Sequence, residues 1–108
     1  MSTPQFGRPE PGRGYPDRPA AFVIVEHRGA VACVRVSLKG GGVRVDLPGG
    51  GLDPGETAAE AAERECGEEA GLKVQVTGEI CRADHYFINE EGRSNNTRGT
   101  FFAARRQA

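Results

Sequence analysis

Residues 47–72 read LPGGGLDPGETAAEAAERECGEEAGL, a glycine-rich turn that runs straight into a helix. Thr57 followed three residues later by Glu60 is a capping box, in which each side chain satisfies the other's backbone donor, so the helix should start near Ala58. Ala58, Ala59, Ala61 and Ala62 are strong helix formers, and Gly71 is a natural C-terminal stop. Gly67 is out of place there, because glycine inside a helix costs on the order of 1 kcal/mol relative to alanine. The reading is that some other group comes close to the backbone at that point.

Outward from this helix the texture is β. Phe22–Val25 and Ala30–Val36 are rich in β-branched residues and are separated by Glu26-His27-Arg28-Gly29, which predicts two strands joined by a tight turn. Gly40-Gly41-Gly42 makes a loop before a third short strand, Val43–Leu47. Beyond the helix, Lys73–Ile80 alternates apolar and polar residues as a strand does, and Arg82–Ile88 continues it. Residues 90–96 read as a polar loop, and Thr100–Ala104 as the last strand. Residues 1–19 differ: they hold five of the seven prolines, interleaved with glycine and with Arg8, Arg13 and Arg18. Such a segment buries little and predicts a flexible or surface-laid arm, with an arginine arm reaching for an anion as the sharper alternative. The domain proper is therefore placed at 20–108.

Composition narrows the class. The 108 residues are 37% hydrophobic and 27% charged with a net charge of −1, which suits one small globular domain and argues against stable nucleic-acid binding. No apolar run approaches a membrane span, and the N-terminus lacks the pattern of a secretory signal. Cys33, Cys66 and Cys81 form neither a CxxC nor a Cys/His cluster. They read as reduced thiols of a cytoplasmic protein rather than a disulfide frame or a zinc site.

Chemistry concentrates on the helix. Glu65, Glu68 and Glu69 stand at i, i+3 and i+4, so they project from one face and repel one another by a few tenths of a kcal/mol per pair. A hard divalent cation would remove that repulsion, since Mg²⁺ prefers oxygen ligands. A solvated acidic face is the plain alternative, and the helix alone does not choose between the two. The preceding glycines let a ligand approach the backbone closely. The segment holds neither a GxxxxGK[ST] loop nor a GxGxxG within a βαβ unit. A phosphate next to these glutamates would need metal ions to neutralise it, so loop and helix together suggest a metal-dependent phosphoryl or pyrophosphate site.

The run Gly50-x5-Glu56-x7-Arg64-Glu65-Cys66-Gly67-Glu68-Glu69-Ala70-Gly71-Leu72 resembles the Nudix box, G-x5-E-x7-R-E-U-x-E-E-x-G-U, where U is apolar. Every fixed position is filled, with Cys66 and Leu72 in the two apolar slots. The resemblance implies an α/β fold, the Nudix-type α/β/α sandwich around a mixed β-sheet, here without the usual C-terminal strand and helix. It implies that Glu65, Glu68 and Glu69 are catalytic and ligate Mg²⁺ or Mn²⁺, that one of them serves as base, and that the Gly49 carbonyl is a further metal ligand. Gly50, Glu56 and Arg64 would support the shape of the site. The implied reaction is hydrolysis of a phosphoanhydride in a nucleoside diphosphate linked to another moiety: a nucleoside triphosphate, a dinucleoside polyphosphate or a nucleotide sugar.

Alternatives follow from the short C-terminus. The chain could be a catalytically weak or inactive Nudix-fold binding or regulatory module, or a truncated fragment. An isoprenoid diphosphate isomerase would need a catalytic cysteine motif that is not found. An edge strand carrying Phe101-Phe102 would invite association, which favours a homodimer. Glu90 and Glu91 are candidates for a further acidic ligand. The base-stacking candidates are Tyr15, Tyr86, Phe87, Phe101 and Phe102. His85, Arg82, Arg98, Arg105 and Arg106 are candidates for phosphate, each more often exposed or structural.

Overall fold

The computed structural model describes residues 2–107. Its strands are β1 (Gln5–Phe6), β2 (Asp17–His27), β3 (Ala30–Val31), β4 (Val34–Ser37), β5 (Val43–Asp46), β6 (Gly49–Gly51), β7 (Val74–Ile88) and β8 (Ser94–Arg106), with one helix among the described residues, α1 (Ala58–Ala70). Six strands form a mixed sheet in the order β1-β7-β8-β2-β3, with β6 branching off β2, and β4-β5 form a separate two-stranded ribbon. The β2–β8 and β1–β7 pairs are parallel and the others antiparallel.

The helix forms where its local signals place it. Both arms of the capping box are made: Glu60 N–H donates to the Thr57 hydroxyl, and Thr57 N–H donates to the Glu60 carboxylate. Gly71 ends the helix at φ 66° in the left-handed conformation, its N–H bonded to the Gly67 carbonyl. Ala61, Ala62 and Cys66 pack against Ala21, Val23 and Val25 of β2, Val74 of β7 and Phe102 of β8. Small residues let helix and sheet approach closely, and each larger side chain buried there contributes roughly 1.5–3 kcal/mol. The expectation at Gly67 fails, because a Cβ built there would meet only the Leu72 carbonyl oxygen, at 4.0 Å.

Three elements differ from the sequence reading. The turn after β2 is two residues long, Arg28 (φ 53°) and Gly29 (φ 78°), closed by the His27–Ala30 pair. Two positive φ values make it a hairpin turn of the kind that matches strand twist, and the expected single strand over Ala30–Val36 breaks at Ala32-Cys33. The expected polar loop over 90–96 is shorter, since β8 already begins at Ser94. Most consequentially, Thr100–Ala104 is not an edge. It lies between β7 and β2, hydrogen-bonded on both sides, so the edge-strand argument for a dimer falls away. The outer position next to β7 belongs to Gln5–Phe6 of the N-terminal arm. The Gln5 amide there donates to the buried Asn96 of β8 at 3.0 Å.

Candidate active site

β6 is a strand of three glycines, and its pairing with β2 decides what each presents. Val23 N–H bonds to the Pro48 carbonyl (3.0 Å) and Leu52 N–H to the Pro19 carbonyl (3.3 Å). Antiparallel alternation then turns the backbone groups of Gly49 and Gly51 away from β2. Both meet α1: Gly49 N–H donates to Glu69 Oε1 at 3.0 Å, and the Gly51 carbonyl accepts from Arg64 Nη2 at 3.2 Å. By the same alternation the Gly49 carbonyl faces this helix edge.

The glycines also make room. A Cβ at Gly50 would stand 2.9 Å from the carboxyl carbon of Glu65, so that carboxylate lies directly on the Gly50 backbone. At Gly49 a Cβ would collide with the Ala21 carbonyl oxygen and approach the Phe22 Cα to 2.8 Å. Backbone, not a movable side chain, forbids a larger residue there.

Arg64 ties loop to helix. Nε and Nη2 bond to the two oxygens of Glu56 at 2.7 and 3.0 Å, and Nη1 bonds to Glu65 (3.0 Å) and Glu68 (3.2 Å). Asp53 Oδ2 lies 3.3 Å from Nε. The Arg64 bonds, helped by Asp53 N–H, hold the Glu56 carboxyl at about 2, well below its ordinary 4.5. The same bonds raise the Arg64 guanidinium above its ordinary value, so it stays charged at every working pH. Burial, and next to it Glu69, push the Cys66 thiol up, which keeps it a packed thiol rather than a nucleophile.

The site residues read from the sequence therefore gather in one place: Gly49, Gly50, Glu56, Arg64, Glu65, Glu68 and Glu69. The three acids do not converge on one point in this arrangement. Among the described residues no three acidic, histidine or cysteine side chains are grouped to grip an ion. The hydrogen bonds explain this, since Glu65 and Glu68 turn to Arg64 while Glu69 turns to the Gly49 amide. The donor chemistry nonetheless fits a hard cation: three carboxylates on adjoining turns, an outward carbonyl beside them, and Arg64 as the one guanidinium bonded to any of these carboxylates.

Other candidates lie elsewhere. Arg82 pairs with Glu79, Arg98 with Asp84 and Asp17, and Arg105 with Gln75. His85 packs near Phe87, Tyr15 against Tyr86, Phe101 stacks on Phe22, and Phe102 joins the core. Glu90 accepts the Lys39 N–H at 3.2 Å, tying the loop after β7 to the turn after β4. None of these contacts reaches Glu65, Glu68 or Glu69. Sequence reasoning missed Glu63, whose Oε2 accepts the Val76 N–H at 2.8 Å and fastens α1 to β7. Its signal was an acid three residues before the buried Cys66.

A family model described as NUDIX domain matches residues 16–107. An RNA pyrophosphohydrolase of Sphingopyxis alaskensis is 37% identical over 75 residues, covering 68% of this chain and 48% of that protein. The chain thus spans about half the length of this curated relative. In fold it is similar to a NUDIX hydrolase from Nitrosomonas europaea, with TM-score 0.74 and 18% identity over 85% of this chain and 60% of the other. It is similar also to a MutT protein from Methanosarcina mazei, with TM-score 0.71 and 20% identity over 85% and 65% of the two chains.

Proposed function

The chain belongs to the NUDIX domain family, and we propose that it is a pyrophosphohydrolase. It would cleave a phosphoanhydride in a nucleoside diphosphate linked to another moiety, by attack of water at phosphorus. One observation carries the reading. Every residue of the box is present, and the fold brings the helix acids to the glycine strand, with Glu65 on Gly50 and Glu69 on Gly49.

In this reading Glu65, Glu68, Glu69 and the Gly49 carbonyl would hold Mg²⁺ or Mn²⁺. The chemistry that a divalent cation supplies when bound is neutralisation of phosphate charge and activation of water. The chain's own residues supply position. Arg64 and Glu56 fix the loop against the helix, so the Gly50 backbone and the Glu65 carboxylate keep one spacing. Glu68, the most exposed member of the Arg64 network on the helix, and Glu69 are free to take a proton from water once their present partners are released. The proposed substrates are nucleoside triphosphates, dinucleoside polyphosphates and nucleotide sugars. The Sphingopyxis relative is named an RNA pyrophosphohydrolase, which supports cleavage of a pyrophosphate bond.

The test is release of phosphate or pyrophosphate from the three substrate classes, with and without Mg²⁺. Metal-dependent turnover of any class is the expected result. No turnover of any of them would overturn the hydrolase reading in favour of a binding module.

A further inference from the structure

We infer that Arg18, outside the box, is the cation that holds the substrate's diphosphate group; this rests on the hydrolase reading. The loop-helix site has a charge problem. Asp53, Glu56, Glu65 and Glu68 surround a single guanidinium, with Glu69 next to them on the Gly49 amide, and that guanidinium is spent. Arg64 has five N–H donors. Nε goes to Glu56, Nη1 to Glu65 and Glu68, and Nη2 to Glu56 and the Gly51 carbonyl, which leaves no donor for an anion.

Arg18 is the other guanidinium at the glycine strand. It stands on β2, two residues before Ala20, and Ala20 pairs with Gly51. Side chains alternate across a strand, so Arg18 and Ala20 share the face towards which a Cβ on Gly51 would point. The Arg18 side chain lies down along that face, its Nη2 3.0 Å and its Cζ 3.4 Å from where such a Cβ would be. It can do so because Ala20 and Gly51 are small. Among the described residues Arg18 forms no ion pair and no side-chain hydrogen bond, in contrast to Arg64, Arg82 and Arg98.

Gly50 and Gly51 therefore present opposite chemistry on their two sides. The Glu65 carboxylate lies on Gly50, and the Arg18 guanidinium lies on Gly51. β6 pairs only with β2, and along its outer edge Glu69 takes the Gly49 N–H and Arg64 the Gly51 carbonyl, while no side chain among the described residues takes the Gly51 N–H. A diphosphate laid across that edge would reach the acids at one end and Arg18 at the other. A guanidinium fork suits two phosphate oxygens better than an ammonium does. Arg18 is then a substrate-binding residue and takes no part in proton transfer.

The experiment titrates inorganic pyrophosphate, in Mg²⁺, into the parent chain and into Arg18→Ala and Arg18→Lys, following the Arg18 Nε–H and the Gly51 amide by NMR. Arg18 is exposed, and unchanged thermal unfolding would confirm that the variants fold. The expected result is a shift of both signals in the parent, binding about 10- to 100-fold weaker in Arg18→Ala, and an intermediate loss in Arg18→Lys. Hydrolysis by Arg18→Ala should show a raised KM with kcat little changed. Pyrophosphate that leaves both parent signals unmoved, or that binds Arg18→Ala as tightly as the parent, overturns the assignment. A parent that binds pyrophosphate through Arg18 but hydrolyses nothing would sink the hydrolase reading and keep Arg18 as an anion site.

Discussion

Arg64 and Glu56 meet in a two-pronged pair, Nε on one carboxylate oxygen at 2.7 Å and Nη2 on the other at 3.0 Å. The pair spans the join between the glycine strand and the helix, and it has a pH signature. Glu56 titrates at about 2 in the fold against an ordinary 4.5. A lowered folded pKa means that its stabilisation is complete above 4.5 and is lost as pH falls from 4.5 towards 2. Glu56→Gln should therefore unfold at a lower temperature than the parent at pH 7, with the gap closing over that window. Thermal unfolding at pH 7, 4, 3 and 2 measures it, and a gap that stays constant down to pH 2 would refute the pairing.

Gly50→Ala puts a methyl group 2.9 Å from the Glu65 carboxyl carbon. The obstacle is the end of a side chain, so the fold should survive while Glu65 moves aside. Displacing a catalytic group by about an ångström can cost on the order of 100-fold in rate. Metal-dependent turnover should fall by about that much with the unfolding temperature nearly unchanged. Gly49→Ala meets backbone atoms instead and should lower the unfolding temperature sharply.

Glu68→Gln removes one proposed ligand and one like charge from the acidic face. Turnover should drop by about 10- to 100-fold or more, the range seen when support of a metal site is lost. Stability should hold or rise slightly, because relief of repulsion offsets the lost 3.2 Å bond to Arg64. Equal Mg²⁺-dependent activity in variant and parent would remove Glu68 from the site.

Gly67 has open space around it, with only the Leu72 carbonyl oxygen 4.0 Å from a Cβ. Gly67→Ala should therefore stabilise the chain by about 0.8–1 kcal/mol through helix propensity alone. For a domain of this size that is about 4–8 °C in unfolding temperature. Calorimetry of the variant checks it, and a lower midpoint would mean that the position serves some close approach after all.

The helix and its chemistry were legible because their causes are local. Thr57 and Glu60 cap one end, Gly71 stops the other, and the spacing of Glu65, Glu68 and Glu69 alone puts three carboxylates on one face. The Nudix box lies almost wholly within that helix and the loop before it. The strand over 74–88 showed itself by alternation, which is again a property of neighbours.

Long-range pairing was not legible. Gly49–Gly51 carries no side chains and so shows no period, and only β2 makes it a strand that turns Gly49 and Gly51 towards the helix. Thr100–Ala104 read as an edge because its sequence does not say which strands flank it, while the fold inserts it between β7 and β2. Gln5–Phe6 has too little to bury to predict its own place, and β7 recruits it by backbone bonds. The helix, its caps, the three acids and the family were all readable along the chain, because these depend on residues within a few turns of one another. Tertiary structure alone decided that Arg18 lies beside the glycine strand, because that position depends on the pairing of β2 with β6, two strands far apart in the chain.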